Sequence, residues 1–145
     1  MKAISIRNPW AHDILCGYKK FEYRTWQPKY RGDLLICSSA NPKINGMISG
    51  YALIVCRLSD VTRITKFNFF KLDLDEPPED DEKIFAWHLI DFRMIKPFKI
   101  KGKLNFFEVD DKLIEYIIND NMNNEEIDNI IKQYFEPLFY TGKKK

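Results

Sequence analysis

Very little in this chain could hold zinc. Three cysteines and two histidines occur in 145 residues. Cys16, Cys37 and Cys56 lack any CxxC spacing, and only His12 and His88 add nitrogen donors, which argues against a zinc site. Cys37 and Cys56 sit inside apolar runs and read as small buried hydrophobes. No apolar stretch reaches membrane length, and the first residues do not make a signal peptide. An excess of one charge is missing too. With 23 Lys and Arg against 21 Asp and Glu, the formal net charge is +2. This is no histone-like polycation, and any nucleic-acid binding must come from a local patch. The expectation is a soluble, cytoplasmic, reduced, monomeric protein without metal or cofactor.

What the chain does have is core-forming material. It is 45% hydrophobic, with 3 Trp, 7 Tyr and 11 Phe. Its length fits one domain with a sizeable core. Charge is unevenly spread. Residues 1 to 35 hold seven bases and three acids, whereas residues 73 to 82 hold seven acids in ten positions.

The stretch from Gly17 to Ser39 organises the rest. Lys19, Glu22 and Arg24 are set among Tyr18, Phe21, Tyr23 and Trp26. In an extended segment Phe21, Tyr23 and Thr25 share one face, and Glu22, Arg24 and Trp26 share the other. The polar face is either a solvated salt bridge or the floor of a cleft with Lys19 at its lip. A turn near Pro28 to Gly32 then leads into a buried strand beginning at Leu34. Ahead of this stretch, Met1 to Ile6 reads as a first strand. A short helix follows from about Pro9 to Leu15 or Cys16, with Asn8 as a cap and Gly17 as its stop. Arg7, between strand and helix, is a surface arginine or an anion ligand. Trp10 reads as a packing residue on the first helical turn, with a stacking role as the alternative.

Further on, Met47 to Leu58 reads as a central strand, because its apolar run is nearly continuous. Asp73 to Glu82, with Pro77-Pro78, reads as a solvated loop, or alternatively as a lid competing with an anionic ligand. Ile84 to Met94 is a strand with Phe85, Trp87, Leu89, Asp91 and Arg93 on one face. His88 reads as a satisfied structural histidine. Ile95 to Phe98 is expected to turn the chain. Lys99 to Lys103 makes a basic turn around Gly102, and Leu104 to Val109 a last short strand. Asp110 to Asn119 and Asn124 to Phe135 read as two helices whose apolar stripes cover the sheet.

Three segments in order resemble the ASCH domain. They are Ser5-Ile6-Arg7-Asn8-Pro9-Trp10-Ala11, the G-x-K-x-x-E-x-R run Gly17 to Arg24, and Tyr30-Arg31-Gly32-Asp33. Ala86-Trp87-His88-Leu89 and Pro97 to Lys103 resemble that family's distal part. The resemblance implies an α+β fold: a PUA-like small twisted β-barrel with short helices, here residues 1–109. Residues 110–145 would be a C-terminal helical extension packed on the same domain.

The resemblance also implies an RNA or modified-nucleoside partner, held in a cleft near the G-x-K-x-x-E-x-R run. The implied ligand-binding set is Arg7, Lys19, Glu22, Arg24, Trp26, Arg31 and Ser38. Some relatives are amidohydrolases on acylated cytidine and others are assigned ribonuclease activity. If this chain is such a hydrolase, Lys19 and Glu22 are the catalytic pair. Lys19 matches the lysine associated with activating the nucleophile in the amidohydrolase branch. That branch has a threonine where this chain has Glu22, the usual residue of the wider family. Cys37-Ser38 likewise replaces a common histidine.

Overall fold

Residues 1–117 and 121–142 are described by the computed structural model of the chain. The apolar runs become strands: β1 (Lys2–Ile6), β2 (Phe21–Arg24), β3 (Gly32–Ser38), β4 (Tyr51–Arg63), β5 (Phe85–Lys99) and β6 (Phe107–Glu108). Among the described residues they form one six-stranded sheet in the order β2-β5-β4-β3-β1-β6. β1 and β3 run parallel, and the other neighbours pair antiparallel. The fold is therefore α+β with a mixed sheet.

The interior position of β3 and β4 explains their continuous apolar runs, since both faces are covered. Ile4, Ile6, Leu34, Ile36, Leu58, Trp87 and Leu89 form the core on one face. Ala3, Leu35, Cys37, Ala52, Val55 and Ile95 belong to a second cluster. Cys37 and Cys56 are buried, and desolvation pushes both thiols up to about 12.

The expected closed barrel is not what forms. Among the described residues no ladder joins β2 to β1 or β6. Even so, Arg24 of β2 donates from Nη2 to the Ser5 carbonyl of β1 at 3.2 Å. These strands are separated by three others in the sheet order, so the sheet curls until its two sides meet. The gap is bridged by side chains rather than backbone pairing.

The short helix α1 (Trp10–Leu15) appears where expected, and Gly17 stops it with φ of +83°. Asn8 Oδ1 accepts the His12 N–H at 3.1 Å, while its Nδ2 donates to Ile48 O at 2.9 Å. One asparagine thus ties the helix start to the loop before β4.

β5 departs from expectation twice. It does not turn at Ile95 to Phe98 but continues through Pro97 to Lys99. Opposite that point the β4 register shifts between Ala52 and Ile54, and such a bulge tolerates a residue lacking an N–H. The simple alternation also fails beyond Ile90. Asp91 takes a φ of +53°, and the register with β4 shifts between Val55 and Arg57. The extra residue changes the phase, so Phe92 and Met94 join Trp87 and Leu89 on the core face.

The tail corrects another expectation. The helix expected over Asp110 to Asn119 is absent as far as Ile117; its last two positions lie outside the described residues. A single 3-10 turn forms at Asp111–Leu113. The chain then lies along β5, with an Ile95–Tyr116 bridge. Lys96 N–H donates to Glu115 O at 2.9 Å and Ile117 N–H to Met94 O at 3.1 Å. The reason is the shortness of β2, which pairs only with Phe85 to His88. The rest of that β5 edge would otherwise present unpaired backbone groups.

The second expected helix does form, as α2 (Asn124–Ile130) followed by a π-helical turn at Ile131–Phe135. Its cap is Asn123, whose Oδ1 accepts the Glu126 N–H at 2.8 Å. Ile130, Ile131, Tyr134 and Phe135 pack against the first core cluster.

Trp87 lies at the middle of that cluster with no exposed surface, ringed edge-on by Trp26 and tilted against Phe106. Trp87→Ala is expected to destabilise the protein by about 3–5 kcal/mol, read from the midpoint of urea unfolding. A loss below about 1 kcal/mol would show that this cluster is not the centre of the core.

Candidate functional site

A cleft of about 1020 Å³ opens at the gap between β1 and β2. One wall is the end of β1, Ser5 to Arg7, together with Trp10 of α1. Lys19, Glu22, Tyr23 and Arg24 come from β2 and its lead-in. The segment after β5, Ile100 to Asn105, forms another wall, and Ser39 and Ala40 complete the lining.

Each element has a local reason to be there. Tyr18 and Lys19 donate their N–H groups to Asp13 O at 2.9 and 3.1 Å, so the end of α1 fixes the lead-in to β2. Gly102 lies directly on β1: a Cβ there would sit 2.5 Å from Ser5 Oγ and 2.8 Å from Ser5 Cβ. Only glycine lets the basic loop approach this closely.

Glu22 is buried at 7% exposure, and its Oε2 accepts from Arg24 Nε at 2.8 Å. Arg24 also carries the bond to Ser5 O and lies 5.9 Å from the Trp87 ring centroid. Its guanidinium is thus engaged by the protein. Of the two open readings of this strand face, solvated ion pair or cleft floor, the geometry combines both: the pair exists, but it is buried and lines the cleft.

Lys19 Nζ lies 3.9 Å from the Tyr23 ring centroid. Burial lowers its pKa from 10.5, opposed by the nearby charges of Glu22, Asp13 and Asp73. Tyr23 donates its hydroxyl to Leu72 O at 2.6 Å, and burial, reinforced by Asp73 and Glu22, pushes its pKa up to about 12. Asp73 therefore brings the first acid of the acidic loop into electrostatic reach of the cleft. The seven acidic side chains of that loop are all exposed.

Four cations around the cleft have no carboxylate partner within 4 Å among the described residues: Arg7, Lys19, Lys101 and Lys103. Beside them, Trp10 is 51% exposed and Leu104 90% exposed. The exposure of Trp10 overturns its expected packing role. A six-residue helix buries one narrow face, and Ala11 and Ile14 fill it.

Of the residues expected in the site, Arg7, Lys19, Glu22 and Arg24 are brought together. Trp26 instead packs edge-on against Trp87 and Phe106. Arg31 points to its own turn, donating from Nη1 to Pro28 O and Tyr30 O. Ser38 is buried and bonded to the Tyr51 backbone. None of these three lines the cleft. Sequence reasoning missed Ser5, Tyr23, Ser39 and the Lys101 to Asn105 loop as cleft residues. The loop had a signal, lysines on both sides of a glycine, but nothing local said that it folds back onto β1. His88 is a structural residue, as expected: its Nε2 is 2.7 Å from Thr62 Oγ1, and its ring meets Phe21 edge-on.

A family model for the ASCH domain matches residues 4–99. The chain belongs to the ASCH domain family. No curated protein matches the sequence. Among solved structures, the crystal structure of ASCH from Zymomonas mobilis is similar at 15% identity and a TM-score of 0.57, covering 97% of this chain and 96% of that one. Two single-substitution variants of that protein are similar at 16% identity and a TM-score of 0.56, covering 90% and 91% of this chain. At such identities the likeness shows the fold alone. The ASCH match spans β1 through β5 and ends just before the basic loop.

Among the described residues, no cluster of His, Cys, Asp and Glu is suited to a metal, and no helix of this ASCH chain is long and apolar enough to cross a membrane. The chemistry on offer at the cleft is cationic, with one buried carboxylate.

The ε-amine of Lys19 is expected to titrate below 10.5 in an NMR titration, and lower still in Asp73→Asn, which removes a charge that supports protonation. Because the unfolded chain holds that proton more tightly, this residue makes stability rise with pH between the folded pKa and 10.5. Titration at or above the ordinary value would show that the site is not desolvated.

Proposed function

We propose that the cleft binds RNA, as a short single strand or a modified nucleoside. One observation carries this reading: four cations with no carboxylate partner within 4 Å among the described residues converge on a cleft that also presents the exposed indole of Trp10. Phosphates need cations free of competing carboxylates, and unstacked bases need an aromatic face. Arg7, Lys101 and Lys103 are exposed and suit the backbone. Lys19 lies deeper and suits a phosphate or base edge that enters the cleft. Trp26, Arg31 and Ser38, which do not line the cleft, are left out of this binding set. In this reading residues 1–109 are the binding unit, and 110–145 complete the same domain by packing on it.

A hydrolase is the second reading, and the lowered pKa of Lys19 beside Glu22 favours it, since a lysine base needs such a shift. The engagement of Glu22 by Arg24 counts against Glu22 as a freely moving acid or nucleophile. Turnover of N4-acetylcytidine by the wild type, lost in Lys19→Ala with the fold retained, would establish the hydrolase and displace the binding reading.

Binding predicts a salt signature. Affinity for a short single-stranded RNA should fall log-linearly with salt. Lys101→Ala and Lys103→Ala should each reduce the slope by about 0.7, the single-strand counterion release per contact. Fluorescence anisotropy across a salt series reads this. Absent binding at low salt, or an unchanged slope in the double variant, would refute the cationic cleft as the RNA site.

A further inference from the structure

Glu22 is out of place in a cleft that only holds phosphates. It is the one acid in a lining that carries Arg7, Lys19, Arg24, Lys101 and Lys103. A carboxylate there repels phosphate, so its presence needs another reason. Holding Arg24 is one reason, but that uses only Oε2. Oε1 accepts no hydrogen bond among the described residues. It is not sealed away either: the one buried side-chain polar atom without a partner among the described residues is His12 Nδ1. The residual exposure of Glu22 therefore opens on the cleft that it lines.

A fixed, charged acceptor in a cationic cleft calls for a ligand that pairs phosphates with a hydrogen-bond donor. Among nucleobases the donor at the ring edge is an exocyclic amino group, present on cytosine, adenine and guanine. Uracil lacks it. Its single imide N–H lies between two carbonyl oxygens, which a carboxylate repels. We propose that Glu22 is a specificity-determining residue that selects bases bearing an exocyclic amino group over uracil; this rests on the reading of the cleft as an RNA site.

Arg24 gives the idea a sharp consequence. In Glu22→Gln the amide has one acceptor and one donor group. Arg24 Nε is a donor and sits where Oε2 accepts it, so it holds the amide oxygen on its own side. The amide NH2 then faces the cleft where Oε1 was. A donor replaces an acceptor, and that suits the O4 carbonyl of uracil better than an amino group.

The test is anisotropy with labelled oligocytidylate and oligouridylate of equal length, at near-neutral pH and one salt concentration. The two probes carry the same charge, so rim contacts cancel in their affinity ratio. The wild type is expected to prefer oligocytidylate by about tenfold. Glu22→Gln should abolish or invert that ratio, while Lys101→Ala weakens both probes by the same factor. Equal wild-type affinities overturn the selection and leave RNA binding standing. A preference that survives in Glu22→Gln, with the thermal midpoint of the variant retained, overturns the role of Glu22. Should Glu22→Gln fail to fold, Glu22→Asp keeps the charge but withdraws the oxygens from the cleft, and an undiminished ratio there overturns the role equally. Binding of neither probe overturns the underlying RNA reading and this inference with it.

Discussion

The Arg24 guanidinium is the constraint on which the site depends. It joins β2 to β1 across a gap where no ladder pairs them among the described residues, and it does so while holding the Glu22 carboxylate. Backbone pairing there would have closed the sheet and filled the gap with a ladder. A side chain leaves an opening instead, and the opening is the cleft. Removing Arg24 would release a buried acid and one wall together, a cost of the kind seen when one partner of a buried pair is lost. The core beneath it is built to resist that opening, with Trp87 packed under the guanidinium and Trp26 and Phe106 against Trp87.

The electrostatics of the cleft divide by depth. Arg7, Lys101 and Lys103 stay exposed at the rim, where they remain strongly hydrated and responsive to salt. Lys19 is half-buried, and desolvation works against its charge while three carboxylates work for it. One of these, Asp73, belongs to the acidic loop, so a segment that looks like plain solvated chain contributes to the potential at Lys19. A protein with a net charge of only +2 can present a cationic site because its acids are concentrated elsewhere.

Much of the sheet was legible in the sequence because its physics is local. Gly17 and Gly32 bracket β2 and its turn, and Leu34 to Cys37 and Ala52 to Cys56 announce interior strands by continuous burial. Glu22 and Arg24 two residues apart in an extended segment had to share a face. What was not legible depends on partners distant in sequence. Asp91 gives no sign that a bulge will shift the phase of β5. Pro97 reads as a turn until the register shift opposite it is known. The tail at 115–117 reads as helix, yet it lies extended along a free edge of β5, held by an isolated bridge and two backbone hydrogen bonds. The site followed the same rule: Lys19, Glu22 and Arg24 were local, whereas Trp10 and the Lys101–Lys103 loop joined them only through the curl of the sheet.

The most direct check is to map where RNA touches the protein. A nitrogen–proton NMR titration with a short single-stranded RNA resolves the indole N–H of exposed Trp10 from those of Trp26 and Trp87. With the cleft as the binding site, the Trp10 indole and the amides of residues 5–7 and 100–105 shift together, while those of α2 stay in place. Shifts confined to α2 and the turns after it, or spread evenly over all surface lysines, would contradict the account.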